Sequence, residues 1–172
     1  MSKRPTQIKK NKYILKHITD GYETFCGTRA DVRVVPIPIP NLHDLGSFIT
    51  TLETTLSTAP CPIKALMLSN PHNPLGRCYT TPQLLACLQF CQKHNLHLIS
   101  DEVFGPLTFE STDLDGEERF VSVLELDCEG LGVDAGRVHV IWSPSKVFAL
   151  SGLRLVCFDF FVCGFWSGVD AV

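Results

Sequence analysis

Apolar positions along the chain recur with periods that sort most of it into strands and helices. "DVRVVPIPI" (31–39) reads as a strand, and Pro36 and Pro38 place its end near a sheet edge, because proline cannot donate to a ladder. In "HDLGSFITTLETTL" (43–56), Leu45, Phe48, Ile49, Leu52 and Leu56 recur at helical spacing. "IKALMLS" (63–69) is a continuous apolar run, as expected of a strand covered on both faces. "NPHNPLG" follows it as a turn dense in Asn and Pro. Thr80 or Thr81 caps the next helix, with Pro82 in its first turn. That helix runs to about His94 and puts Leu84, Leu85, Leu88 and Cys91 on one face. "LHLIS" (96–100) is a strand ending at Asp101, "DLDGEER" (113–119) a polar loop and "RVHVIWS" (137–143) a further strand. Alternation of strand and helix predicts an α/β domain with a mainly parallel sheet flanked by helices.

Composition narrows this. With 172 residues, 45% hydrophobic and 19% charged, the chain is globular and long enough for one buried core. A net charge of −3 gives no reason to expect a nucleic-acid partner. Eight cysteines occur without a C-x-x-C pair or a signal peptide, which predicts reduced thiols in a cytoplasmic protein. Lys3, Arg4, Lys9, Lys10, Lys12 and Lys16 all precede the first acid, Asp20. No aromatic stacking pattern accompanies them, so they read as a solvated arm rather than a nucleic-acid or membrane contact. The terminal "LVCFDFFVCGFWSGVDAV" is rich in Phe and Trp, but Asp159, Gly164, Gly168 and Asp170 interrupt it too often for a membrane span.

In parallel sheets, ligands sit beyond the carboxyl ends of the strands. Three polar stretches fall there: "SNPHNPLG", "DEVF" and "SPSK". A lysine at a strand end in apolar surroundings is pushed toward its neutral amine, which forms a Schiff base with an aldehyde. Arg154, Ser143 and Ser145 suit a phosphate, one by charge and the others by hydrogen bonds. Asp101, at the end of a hydrophobic strand, needs a cationic partner, and a protonated pyridine nitrogen would serve. Aldehyde, phosphate and pyridine together describe pyridoxal 5'-phosphate. Each residue also has an ordinary reading. Asn73 suits an Asx turn, Ser143 and Ser145 suit a helix cap, and Lys146 and Arg154 suit the surface. Convergence of the ordered set on one sheet edge favours the cofactor site. His94 and His97 have no acid or thiol to complete a metal set, and Cys87 and Cys91 read as small core residues.

The ordered motifs "YETF", "NPHNPLGRCY", "ISDEVF" and "RVHVIWSPSKVFALSGLRL" resemble the fold-type I pyridoxal-phosphate enzymes of aminotransferase class I/II. The resemblance is closest to the 1-aminocyclopropane-1-carboxylate-synthase-like branch. It divides the chain into a non-matching basic arm (1–20), part of a large cofactor-binding domain (21–155) and a non-matching tail (156–172). It implies an enzyme acting on amino acids through an aldimine at Lys146, with Asp101 on the pyridinium and Asn73 on the phenolic oxygen. Ser143, Ser145 and Arg154 would bind the phosphate, and Tyr22 would stack on the ring. Phe104 stands where the family usually has a tyrosine, so it can pack but cannot donate a hydrogen bond. No metal is implied. The family is homodimeric and has further segments before Tyr22 and after Leu155, including a small domain that clamps the substrate carboxylate. The expectation is therefore the middle of a transaminase or lyase. The alternative is a truncated remnant that keeps the fold, turns over no amino acid at a normal rate and dimerises poorly.

Overall fold

A computed structural model of the chain describes residues 12–17, 32–38, 44–109 and 119–160. Six strands form one sheet: β1 (Lys12–His17), β2 (Val32–Ile37), β3 (Ile63–Ser69), β4 (His97–Asp101), β5 (Val138–Trp142) and β6 (Cys157–Phe160). Their order is β2-β1-β3-β4-β5-β6. Every neighbouring pair is parallel except β5 and β6, which are antiparallel. Among the described residues, two long helices, α1 (Leu45–Thr58) and α2 (Thr81–His94), and one helical turn, α3 (Pro144–Val147), complete the regular elements with four short 3-10 turns. The expected α/β architecture with a mainly parallel sheet is what the chain adopts.

Register and the two-residue period of strands assign the sheet faces. Leu66 pairs with Leu98 and Leu98 with Val138, while Leu68 pairs with Ser100 and Ser100 with Val140. This face joins Phe48 and Leu52 of α1 and Leu84, Cys87, Leu88 and Cys91 of α2 in the hydrophobic core. Leu66, Leu84, Leu88 and Leu98 are all completely buried, each worth about 1.5–3 kcal/mol of apolar transfer. Residues one position out of phase (Met67, Ile99 and Asp101 among them) point to the opposite face.

Local chemistry fixes where the helices begin and end. Asp44 caps α1 by accepting from the N–H groups of Gly46 and Ser47 at 3.0 and 3.2 Å. Of the apolar positions at helical spacing in α1, Phe48 and Leu52 are buried, whereas Leu45 and Ile49 remain exposed. The stripe is thus narrower than its spacing suggests, because α1 meets the core along one i, i+4 ridge. Thr80 and Gln83 form a capping box on α2, and Asn95 ends it in the left-handed conformation at φ +59. Glu53 of α1 ties the two helices together through Lys93 (2.7 Å) and His94 (2.9 Å).

Two expectations are corrected here. Lys12–His17 is not part of a solvated arm: it is an inner strand, paired with β2 on one side and β3 on the other. Cys157–Phe160, inside the tail that follows no pattern in sequence, is the antiparallel edge strand. Most of the polar loop at 113–119 lies outside the described residues. Cys87 and Cys91 are core residues as expected, and Cys61, Cys87, Cys91, Cys128 and Cys157 are free thiols. No helix among the described residues is long and apolar enough to cross a membrane.

Candidate functional site

The carboxyl ends of β3, β4 and β5 lie side by side, and the chain leaves each through a different polar segment. After β3, Asn70 continues the core-facing phase of Leu66 and Leu68 and is completely buried. Its Oδ1 accepts from the Tyr79 N–H (3.1 Å), its Nδ2 donates to the Val121 carbonyl (3.0 Å), and its backbone N–H donates to the Asp101 carbonyl (2.9 Å). The turn that begins there closes where the His72 N–H donates to Arg77 O and the Gly76 N–H donates to His72 O, both at 2.7 Å. Gly76 takes φ +66, which glycine reaches without steric cost. Asn73 sits at the exposed tip of this turn.

At the end of β4, Asp101 lies on the sheet face opposite the core and is only 8% exposed. Its Oδ1 accepts from the Val103 N–H at 3.2 Å. Glu102 points the other way and is also buried. Its Oε1 accepts from the Ser100 hydroxyl (2.9 Å) and from the Val123 N–H (3.0 Å). Burial pushes the Glu102 carboxyl up from its ordinary range, while hydrogen bonds from Ser122, the Val123 N–H and Ser100 pull it back in part. Phe104 is half-buried and leads into the turn Gly105–Leu107.

After β5, Ser143 caps α3 by accepting from the Ser145 N–H at 3.2 Å. The ordinary reading of Ser143 as a cap is therefore correct for its backbone contact. Its hydroxyl also donates to the Leu155 carbonyl (2.8 Å) and lies 2.7 Å from the Ser145 hydroxyl. One turn later, Lys146 is exposed, with its Nζ 5.9 Å from the centre of the Phe104 ring. The sequence led to the expectation of apolar surroundings for this lysine; in the structure the side chain is exposed, with the Phe104 ring nearby. Arg154 is exposed at φ +54, and its guanidinium donates to the Ser151 carbonyl at 3.2 Å.

Lys146 and Phe104 meet across the β4–β5 boundary, Lys146 three positions after Ser143 and Phe104 three positions after Asp101. Asn73 follows the neighbouring strand β3. Tyr22 lies outside the described residues. His94 and His97 do not share a site: His94 pairs with Glu53, and His97 hydrogen-bonds His139 at 2.8 Å. Burial, and then the neighbouring His97, push the His139 imidazole down from its ordinary value. No cluster of metal-ligating side chains occurs among the described residues.

The residues missed in sequence are Asn70, Ser100 and Glu102, all buried polar groups. A signal for them exists. Leu66, Leu68 and Asn70 on one strand, and Leu98, Ser100 and Glu102 on another, continue the two-residue period of the core face past the strand ends.

Comparison with known proteins gives this edge a context. The family described as aminotransferase class I and II matches residues 25–158. A probable aminotransferase of Aspergillus oryzae is 42% identical over 140 residues, covering 80% of this chain and 33% of its own length. A 1-aminocyclopropane-1-carboxylate synthase of Oryza sativa subsp. japonica is 33% identical over 138 residues, covering 78% of this chain and 24% of its own. An aromatic aminotransferase of Pyrococcus horikoshii shares the fold at a TM-score of 0.60 and 22% identity, over 86% of this chain and 36% of that one. The chain spans a third or less of the length of the curated relatives it matches first. On these matches and on its mainly parallel sheet, the chain belongs to the class I and II aminotransferases, the fold-type I family whose cofactor is pyridoxal 5'-phosphate.

Proposed function

We propose that the chain is the cofactor-holding core of an aminotransferase, acting on an amino acid by removal of its Cα proton. The observation that carries this reading is the approach of the Lys146 ammonium to 5.9 Å from the Phe104 ring, which links the segments leaving β4 and β5. The donor set fits the cofactor: a buried acid, an accessible primary amine, two adjacent hydroxyls and a guanidinium stand on one sheet edge.

Bound pyridoxal 5'-phosphate supplies an electron sink for the charge left on Cα. The side chains do the rest. The nearly buried Asp101 carboxylate would hold the cationic ring nitrogen through a charge-assisted contact. Lys146 Nζ would hold the cofactor's aldehyde carbon and would serve as general base for the Cα proton. The Asn73 amide would donate to the phenolic oxygen. The Ser143 proton is committed to the Leu155 carbonyl, so Ser145 and Arg154 would hold the phosphate. Phe104 lies against the lysine and would pack on the ring without donating, and Tyr22 is the residue that the family resemblance assigns to ring stacking. Relatives named aminotransferase and a relative named synthase both match, and the higher identity of the Aspergillus oryzae relative favours transamination.

The test is cofactor capture by the purified full chain. Addition of pyridoxal 5'-phosphate should give a visible absorption band that borohydride abolishes, with the reduced cofactor on the peptide containing Lys146. Label on Lys64 or Lys93, or no band, overturns the assignment. A panel of amino acids, with S-adenosylmethionine among the substrates, separates keto-acid formation from aminocyclopropane-carboxylate formation.

A further inference from the structure

Glu102 is buried at the site's edge, but it faces away from every residue assigned to the cofactor. Among the described residues no cation pairs with it. Its contacts are to uncharged donors: Ser100 Oγ at 2.9 Å and Val123 N–H at 3.0 Å, both on Oε1, and the Ser122 hydroxyl. A buried carboxylate of this kind costs more to desolvate than an apolar side chain of the same volume. Its contribution is therefore sought in geometry rather than in stability.

The geometry is specific. The Glu102 backbone N–H donates to the Ile141 carbonyl of β5 at 2.9 Å, and its carbonyl accepts from Gly105 N–H at 2.8 Å. The backbone of this one residue thus joins β5 to the turn that carries Phe104, directly after Asp101. Gly105 lies so close to Phe120 that a Cβ there would stand 2.6 Å from the ring. The 120–123 segment therefore packs directly against the Phe104 turn, and Glu102 holds that segment through Val123 and the turn through Gly105. Asn70 holds the same segment through Val121 O and the same strand end through Asp101 O. Glu102 and Asp101 share a peptide bond, so a backbone shift at Glu102 moves Asp101 with it.

From this arrangement we infer that Glu102 is a positioning residue for the cofactor site: its carboxylate clasps Val123 to the end of β4 and so fixes Asp101 and Phe104. The inference rests on the proposed cofactor site. Glu102 touches neither cofactor nor substrate, and it acts through its neighbour in the chain.

Cofactor affinity of the purified full chain, titrated by the visible band and by its circular dichroism, tests this. Wild type that gives no band sinks the cofactor reading and this inference with it. Where wild type binds, Glu102→Ala should raise the Kd at least tenfold and weaken the dichroism per bound cofactor. Glu102→Gln, which keeps an acceptor oxygen in place, should stay within threefold of wild type. Leu88→Ala, a core variant remote from the site, controls for instability: it should lower the melting temperature and leave the Kd unchanged. A folded Glu102→Ala that binds like wild type, a Glu102→Gln as weak as Glu102→Ala, or a Leu88→Ala with the same Kd loss each overturns the inference and leaves the cofactor reading standing. Should Glu102→Ala fail to fold, Ser100→Ala decides: a threefold or greater rise in Kd supports the clasp, and an unchanged Kd overturns it.

Discussion

Asn70 and Asn73 each precede a proline in the same turn, yet the structure gives them opposite properties, and this makes a sharp mutational contrast. Asn70 is completely buried. Asn70→Ala deletes the acceptor of the Tyr79 N–H (3.1 Å) and the donor to the Val121 carbonyl (3.0 Å). The Tyr79 N–H is buried, so leaving it unpaired costs about 1–3 kcal/mol. The bond to Val121 is only partly buried, so water can replace part of it, and about 1 kcal/mol is lost there. The sum is about 3 kcal/mol, a large share of the roughly 5–15 kcal/mol that holds a domain folded. At an unfolding entropy of about 2.1 cal/mol/K per residue, that loss lowers the melting temperature by about 8 °C. Asn73 is exposed at the turn's tip, so Asn73→Ala should change stability by no more than about 0.5 kcal/mol. The order reverses for the cofactor: Asn73→Ala should weaken the binding of pyridoxal 5'-phosphate by removing a direct donor. Urea unfolding followed by far-ultraviolet dichroism measures the first pair of effects, and spectral titration measures the second. A loss under about 1 kcal/mol for Asn70→Ala, or a larger loss for Asn73→Ala than for Asn70→Ala, refutes the division of roles.

Two further outcomes follow from the sheet edge. His139 is buried against His97 and stacked on Phe158, and its folded pKa lies below its ordinary 6.5. Its contribution is thus fully present above pH 6.5 and lost as pH falls through the folded value, so His139→Gln should flatten the decline in melting temperature between about pH 7 and pH 5; an equally steep decline in the variant counts against this. Ala149, three residues past Lys146, holds φ +55, a conformation that costs a residue with a Cβ about 1–2 kcal/mol. Ala149→Gly relieves that strain against an entropy loss of about 0.4–1 kcal/mol, so the urea midpoint should rise slightly, and a fall would show that the strain is absent.

How far the sequence reveals this molecule depends on whether the decisive interaction is local. The boundaries of α2 are legible because Thr80, Gln83 and Pro82 specify its start within four residues and Asn95 its end. β3 is legible because a strand between two others needs apolar residues almost throughout, and Ile63–Ser69 supplies them. β1 is not, because lysines flank its three apolar residues and its place depends on β2 and β3, one of them some fifty residues distant. The candidate site residues can be proposed from sequence on another ground: the order of amine, acid and hydroxyls along the chain carries information that no single one does. Their supports are harder to read. Asn70 and Glu102 are ordinary turn and surface residues by type, and only their phase relative to Leu66, Leu68, Leu98 and Ser100 marks them as core-facing. That phase gains its meaning once the sheet has one face packed by α1 and α2, which is a tertiary fact. Side chains that would touch the cofactor are chosen for chemistry and can be recognised by type. Those that hold them are chosen for geometry, and become visible when the register of β3 on β4 places Ser69 beside Asp101 and sends Asn70 and Glu102 into the core together.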